Sequence, residues 1–451
     1  MRIIIVGAGK VGRTITDFLS QEDHDIIVID TSQSLVQEIV DTYDVKGVVG
    51  NGASYEVLVE AEVNRADMLI ASTSTDEVNI LSCLVSKKYG VLHTIARVRN
   101  PEYSKQVNFF QDELGISMIV NPELETANEI AKLLRFPSAL TIESFAKGKV
   151  DIAEMNVIEG SPLIGKNLKT LQDEIDLKFL ICTVERNGKA YIPDGNFVIE
   201  ANDRIHVNAS MNDLNRFFKK TGNLLNKAKT VMLIGGGKIS FYLAKILCSI
   251  GVRVKIIERE EQRSIELSEA LPEVTVINGE GSNQELLIEE GIEETDALVA
   301  LTGYDEDNII VSLYAKTQNV KKIITKVNRY NYSSILNSIN LDSVISTKEV
   351  IANHIIRYVR SLENAVGNEV KTLYKLVNNQ VEASEFYIQK ESFYTGVKFK
   401  ELKIKPHTLI ASIIRDNKVI IPSGNDFLRP GDSVIIVSTQ GYITNLEEIM
   451  E

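Results

Sequence analysis

Two glycine-rich turns carry the residues best placed for chemistry. The first, "GAGKVG" from Gly7, follows the apolar run Ile3–Val6 and opens a stretch with helical spacing. Its three glycines have separate tasks. Gly7 permits a tight turn, Gly9 removes a side chain where the backbone must approach a pyrophosphate, and Gly12 lets the helix pack close to the strand. Backbone N–H groups at the start of such a helix hold phosphate, and Lys10 adds a charge beside them or faces water. Asp30, closing the second apolar run "DIIVID", is placed to accept hydrogen bonds from ribose hydroxyls. It would repel a 2′-phosphate, which favours NAD(H) over NADP(H). The second turn, "GGGKIS" from Gly235, offers Gly236, Gly237, Lys238 and, at the end of the next apolar run, Glu258. There Ser240 stands in place of the third glycine and Arg259 follows the acid. That leaves two readings, a nucleotide site of different selectivity or a copy kept for packing.

The elements around these turns are also written twice, in constant register. Gly7 matches Gly235, Asp30 matches Glu258, "GNGAS" from Gly50 matches "GEGSN" from Gly279, and "TSTDEVN" from Thr73 matches "TGYDEDN" from Thr302. "ARVRNPEYS" matches "TKVNRYNYS", pairing Arg97 with Lys326 and Tyr103 with Tyr332. Short apolar runs alternate with helical stretches, the pattern of a right-handed parallel α/β sheet. Thr73 and Ser74 follow the fourth strand on the carboxyl edge, where such sheets bind ligands. Arg97 ends the fifth strand, within reach of a phosphate or of a surface acid. Glycines 50, 52, 279 and 281 allow a backbone path near a ligand or a turn of positive φ. The fold class expected is therefore α/β: two doubly wound parallel-sheet domains, each followed by a small α+β domain.

The boundaries read 1–120 for the first large domain, 121–139 for a connecting helix and 140–220 for the first small domain. The second set is 229–345, 346–366 and 367–451. The connecting stretches "NPELETANEIAKLLRFP" and "TKEVIANHIIRYVRSL" have apolar stripes, at Leu124, Ala127, Ile130 and Leu134 and at Val350, Ile351, Ile355 and Val359. We expect these stripes to pack on a partner subunit or on their own domain. In the small domain, Phe179–Arg186 alternates and Asn187-Gly188 makes a hairpin turn. "PLIG" and "FYTG" set Gly165 opposite Gly396.

Composition narrows the function. The 451 residues carry a formal net charge of −13, which argues against nucleic acid as the main partner. Met1-Arg2 leads straight into a strand-like run with nothing resembling a secretory signal. No stretch approaches the ~20 apolar residues of a membrane span. Cys83, Cys182 and Cys248 lack metal-site spacing and read as free thiols of a reducing compartment. An NAD-dependent oxidoreductase would need an acid or base beside the nicotinamide. None of the five histidines recurs at the matching place in the other half; His206 aligns with Ile435. No metal-ligand spacing or Ser/Cys nucleophile motif appears either, so no catalytic residue is expected.

The combination "GAGKVG", Asp30, "GNGAS", "ADMLIASTSTDEVN" and "ARVRNPEY", followed by a small β-rich unit, resembles the RCK (KTN) family, which regulates potassium channels and transporters. Two such modules in tandem over essentially the whole chain resemble its nucleotide-binding TrkA branch, with Rossmann-like domains followed by RCK C-terminal domains. The resemblance implies ligand contacts at Gly7, Ala8, Gly9, Lys10, Val11, Asp30, Thr73, Ser74 and Arg97. In the second module it implies Gly235, Gly236, Gly237, Lys238, Ile239, Glu258 and Lys326. It further implies NAD(H), or ATP and ADP, as ligand, and a homo-oligomer, a tetramer, at the inner face of the cell membrane. The partner implied is an integral Trk-type potassium transporter. The other readings are an oxidoreductase and a regulator of a different transporter or channel.

Overall fold

The computed structural model describes residues 1–329 other than 23, 105, 147 and 223–226. It also describes residues 341–450 other than 342, 366–369, 378, 379, 440–442 and 444. Tyr332, matched to Tyr103 above, lies outside the described residues.

The first large domain contains β1 (Arg2–Val6), α1 (Lys10–Ser20), β2 (Asp25–Asp30), α2 (Gln33–Thr42), β3 (Lys46–Val49) and α3 (Tyr55–Glu60). It continues with β4 (Met68–Ala71), α4 (Asp76–Lys88), β5 (His93–Arg97), α5 (Pro101–Ser104), α6 (Val107–Asp112) and β6 (Met118–Val120), and α7 (Pro122–Arg135) carries the chain out. The strands form one parallel sheet in the order β3-β2-β1-β4-β5-β6. Helices cover both faces, so Ile3, Ile4 and Ile5 are all fully buried; this is why β1 reads as an unbroken apolar run rather than an alternating one. The polar start of β1 is held by Asp67, whose carboxylate accepts the Arg2 N–H at 2.7 Å.

The first small domain has β7 (Ile142–Phe145), β8 (Val150–Asn156), α8 (Leu168–Glu174), β9 (Phe179–Arg186), β10 (Lys189–Tyr191), β11 (Arg204–Ala209) and α9 (Met211–Lys220). Its antiparallel sheet runs β10-β9-β11-β8-β7. Asn187 and Gly188 both take positive φ in the hairpin between β9 and β10.

The second large domain repeats the first. Its elements are β12 (Thr230–Ile234), α10 (Lys238–Ser249), β13 (Arg253–Glu258), α11 (Glu261–Ala270), β14 (Thr275–Asn278) and α12 (Gln284–Glu289). They are followed by β15 (Ala297–Ala300), α13 (Asp305–Thr317), β16 (Lys322–Lys326), β17 (Ser343–Ile345) and α14 (Thr347–Ala365). The strand order β14-β13-β12-β15-β16-β17 is the same, again all parallel. The second small domain has β18 (Val370–Leu376), β19 (Val381–Tyr387), β20 (Thr408–Arg415), β21 (Lys418–Ile420) and β22 (Ser433–Ser438). The fold is thus two Rossmann-like parallel-sheet domains and two small α+β domains.

Like associates with like. One compact unit joins Met1–Ala131 to Lys229–Ile356, and the other joins Lys132–Ala228 to Arg357–Glu451. In the first unit, Asn121 Nδ2 donates to the Tyr242 hydroxyl at 3.1 Å and Lys238 Nζ to the Arg99 carbonyl at 3.4 Å. In the second, Val150, Ile152 and Cys182 share an apolar cluster with Ala383, Ile435 and Val437. Asn208 Nδ2 there donates to the Ala411 carbonyl at 2.6 Å.

The chain itself covers most of each connecting stripe: Ala127, Ile130, Leu134, Ile351, Ile355 and Val359 are buried, and Leu124 and Val350 are half-buried. Glu125 of α7 lies 3.7 Å from the His354 ring of α14. Of the two readings of the glycine-rich turns after β3 and β14, the backbone path beside a cavity holds, since Gly50, Gly52 and Gly281 line cavities at this edge, and the turn of positive φ does not. Gly50, Gly52, Gly279 and Gly281 lack positive φ. A Cβ on Gly52 would stand 2.1 Å from Val6 Cγ1, and one on Gly281 2.3 Å from Ile234 Cγ2. Glycine is needed there so that the turn can lie directly on the first strand of its sheet.

Candidate functional site

The glycines of the first turn divide their work as their spacing implied. Gly7 has φ +106°, a conformation that favours glycine. A Cβ on Gly12 would lie 1.8 Å from the Gly7 carbonyl oxygen, so any side chain there would push α1 off the turn. Gly9 is different: a Cβ there would meet nothing within 4 Å. Its φ of −70° is open to any residue, and as N-cap of α1 it supplies no side chain to the first N–H groups. Those groups therefore point at space a ligand can enter. Asp30 holds the turn in place: one carboxylate oxygen accepts the Ala8 N–H at 2.7 Å and the other the Ser32 N–H at 2.8 Å.

These residues open onto a cavity of about 810 Å³. Gly7, Gly9, Lys10, Val11 and Asp30 line it, together with Thr73, Ser74 and Arg97. Ala8 and Gly12 stand behind it. The floor at the end of β4 is fixed by the side chain of Asn79, which the sequence reading passed over within "TSTDEVN". Asn79 is fully buried. Its Oδ1 accepts from the Thr73 N–H at 2.8 Å and the Thr73 hydroxyl at 2.7 Å, and its Nδ2 donates to the carbonyls of Thr73 and Arg97 at 3.2 and 2.8 Å. Asp76 adds a second clamp by accepting the N–H groups of Arg99 and Asn100 at 2.9 and 2.7 Å. Asn308 and Asp305 repeat both clamps in the second half. The signal was available: Asn79 and Asp76 keep their identity in "TGYDEDN", where Ser74 and Thr75 do not.

Arg97 is only weakly held by the protein. Its Nη1 reaches the carbonyls of Ser72 and Thr73 only at 3.4 Å, and its buried Nε has no hydrogen-bond partner. Burial first, and then the charge of Arg99, push its pKa down from the ordinary arginine value. Arg99 is instead paired with the buried carboxylate of Glu123 at 2.5 Å.

The second half completes this cavity. Ile239, Lys326, Asn328, Thr347 and Lys348 line it too. Lys326 Nζ donates to the Thr302 carbonyl at 2.6 Å, and burial lowers the pKa of Lys326 and of Lys348. Ile239 and Lys326, expected at a second site, are therefore placed at the first. Lys238 lines neither cavity and reaches across to Arg99. Cations outnumber acids in the first cavity: Lys10, Arg97, Arg99, Lys326 and Lys348 against Asp30 and Glu123. A weakly bonded guanidinium with a buried, unpartnered Nε, an uncapped helix start and a glycine whose Cβ would project into free space together fit a phosphorylated nucleotide.

Gly235, Gly236, Gly237 and Glu258 line a second cavity of about 580 Å³, with no residue from the first half. Glu258 accepts the Gly236 N–H at 2.5 Å, and Gly235 has φ +97°. Ser240 fits where the first turn needs glycine because its hydroxyl donates to the Gly235 carbonyl at 2.5 Å. Among the described residues, no histidine or cysteine lines either cavity, and no helix is long and apolar enough to cross a membrane.

Comparison with known proteins matches this architecture along the chain. The TrkA-N domain model matches residues 3–122 and 231–347, and the TrkA-C domain model matches residues 152–222 and 383–451. The chain is 32% identical over 462 residues to Trk system potassium uptake protein TrkA homolog 2 of Methanosarcina mazei, covering 100% of both chains. It is 31% identical over 456 residues to Trk system potassium uptake protein TrkA of Vibrio alginolyticus, covering 100% of this chain and 99% of that one. Among solved structures it resembles the GsuK channel bound to NAD, with a TM-score of 0.63 at 19% identity over 97% of this chain and 77% of that one. Tandem TrkA-N and TrkA-C domains, end to end with these relatives, place the chain in the TrkA family of Trk-system potassium uptake proteins.

Proposed function

We propose that this chain is a nucleotide-sensing regulatory subunit of a Trk-type potassium uptake system, and that its first cavity is the sensor. One observation carries the reading. The cavity is excess-cationic, is lined by an Arg97 whose buried Nε has no partner and whose Nη1 has only two long bonds, and is built from both large domains. A nucleotide bound there touches both at once. It therefore favours whichever arrangement of the two domains brings Arg97, Lys326 and Lys348 together, and a ligand that binds one arrangement better shifts the population toward it. In this reading the ligand is NAD(H) or an adenine nucleotide, ATP or ADP. Gly7 and Gly9 take the phosphates, and Asp30 the ribose.

The chain's relatives are potassium uptake proteins, and the neighbour of similar fold is a channel bound to NAD. The working form we propose is a homo-oligomer, a tetramer, at the cytoplasmic face of the membrane on an integral Trk-type transporter. In this reading it binds nucleotide without turning it over, in keeping with its potassium uptake relatives. Calorimetric titration of the purified chain with NADH, NAD, ATP and ADP tests the sensor. At least one should bind wild type and fail to bind Gly9→Asp, whose carboxylate enters the phosphate space without disturbing a neighbour. Equal binding by both proteins would remove the first cavity from the account. The transport role is tested separately, in cells lacking the chain: unchanged potassium uptake would overturn it.

A further inference from the structure

The two cavities share a backbone plan and differ in charge. Where the first cavity has Asn51, the second has Glu280, and where the first has Val78, the second has Asp307. With Glu258 and Glu260 the second cavity is lined by four carboxylates, against the two guanidinium groups of Arg259 and Arg263. Of the two arginines, Arg263 is held by the protein itself, and Arg259 is exposed beside Tyr304. Arg263 Nε donates to the Gly236 carbonyl at 2.9 Å and its Nη1 to Glu266 at 2.8 Å. Arg259 lies 5.6 Å from the centre of the Tyr304 ring. The cations that match those of the first cavity are engaged elsewhere: Lys238 reaches Arg99, and Lys326 lines the other cavity.

What remains suits a nucleoside. Glu258 is at the strand end where a carboxylate accepts from a ribose diol. Tyr304, which replaces Thr75, adds an aromatic face to the lining. The uncapped start of α10 at Gly237 can meet one phosphate. A di- or triphosphate would bring two to four negative charges among four carboxylates, with the exposed Arg259 alone to answer them.

Resting on the reading of both cavities as nucleotide sites, we propose that the second cavity takes a nucleoside or nucleoside monophosphate and rejects polyphosphates, so that one chain senses both ends of the phosphate scale. The test uses the full chain with one cavity blocked at a time. Gly9→Asp leaves the second cavity and Gly237→Asp leaves the first; a Cβ at either glycine meets nothing within 4 Å. Equal melting temperatures of both variants and wild type establish that the fold is kept. Titrated with adenosine, AMP and ATP, the Gly9→Asp protein should bind AMP at least about tenfold more tightly than ATP, and the Gly237→Asp protein should show the reverse order. In the Gly9→Asp background, Glu280→Asn with Asp307→Val, the residues of the first cavity, should tighten ATP about tenfold or more and change adenosine little. Raised salt should weaken ATP at the first cavity and leave adenosine at the second unchanged. If Gly9→Asp protein binds ATP as tightly as AMP, or binds neither AMP nor adenosine while Gly237→Asp protein still binds ATP, this inference fails and the sensor reading stands. If wild type binds no nucleotide, both fail.

Discussion

Replacing Arg97 with methionine separates ligand binding from folding. In the free protein Arg97 has two weak bonds, each 3.4 Å long, and a buried Nε with no partner. Burial lowers its pKa, which says that the charged form is poorly served where it sits. Methionine keeps the apolar stem and relieves the buried charge, so the free variant should be within about 1 kcal/mol of wild type. The ligand is what Arg97 lacks. A hydrogen bond to a charged group contributes about 1.5–3 kcal/mol, so Arg97→Met should weaken nucleotide binding by about 10- to 150-fold. The same number is visible in a melting experiment. Ligand at about 100 times the wild-type Kd adds about 2.7 kcal/mol of stability. A variant bound 100-fold more weakly gains only about 0.4 kcal/mol at that concentration. Melting with and without nucleotide, beside a calorimetric titration, reads both effects. A variant several kcal/mol less stable without ligand would show that Arg97 is a structural residue, and unchanged affinity would show that it does not meet the ligand.

Three further outcomes follow from the geometry. Asn79→Ala strips partners from the Thr73 N–H and the Arg97 carbonyl, so thermal unfolding should show a loss of about 2–4 kcal/mol, accompanied by weaker nucleotide binding. In the small domains Arg186 pairs side-on with the buried carboxylate of Asp203 at 2.7 Å through both Nε and Nη2, and Arg415 repeats this with Asp432 at 2.9 and 2.7 Å. Arg186→Met leaves the buried Asp203 carboxylate without its ion pair and should cost about 3–5 kcal/mol in unfolding with nucleotide affinity unchanged; Arg415→Met should cost less, because Arg429 Nε stays 3.8 Å from Asp432. His206 is buried on Thr183 at 2.8 Å, and burial lowers its pKa, Arg204 acting in the same sense and Glu154 against it. The unfolded chain takes up a proton below about pH 6.5 that the folded one resists, so wild-type stability should fall as pH drops through that range. His206→Ile, which installs the residue found at the matching position 435, should flatten the melting profile between about pH 7.5 and 5.5.

Much of the fold was legible because its signals are local and doubled. The apolar runs at Ile3–Val6 and Val231–Ile234 need only their own residues to be read as doubly covered strands, and the glycines of each turn specify their own backbone. The site was legible in part. Gly7, Gly9, Asp30, Thr73 and Arg97 share one sheet edge, which strand order alone dictates. Lys326 and Ile239 were assigned to the wrong cavity because which domain faces which is decided by packing between domains, and no periodicity records it. The same cause left two readings open for the apolar stripes of α7 and α14, since a buried stripe looks alike whether a partner or the chain itself covers it. Asn79 was missed for another reason: a buried asparagine inside a helix carries no sequence pattern of its own, and only its return as Asn308 marks it. Gly52 and Gly281 do line the cavities, but their packing role went unread, because a glycine required by a neighbouring valine or isoleucine looks identical in sequence to one required by a phosphate.

The central claim is that nucleotide in the first cavity controls potassium entry. The most direct measurement is potassium uptake at limiting external potassium in cells lacking this chain, complemented with wild type or with Gly9→Asp at equal expression. The account predicts that wild type restores normal uptake and that Gly9→Asp, folded but barred from binding phosphate there, does not. Restoration to the same rate by both would contradict it.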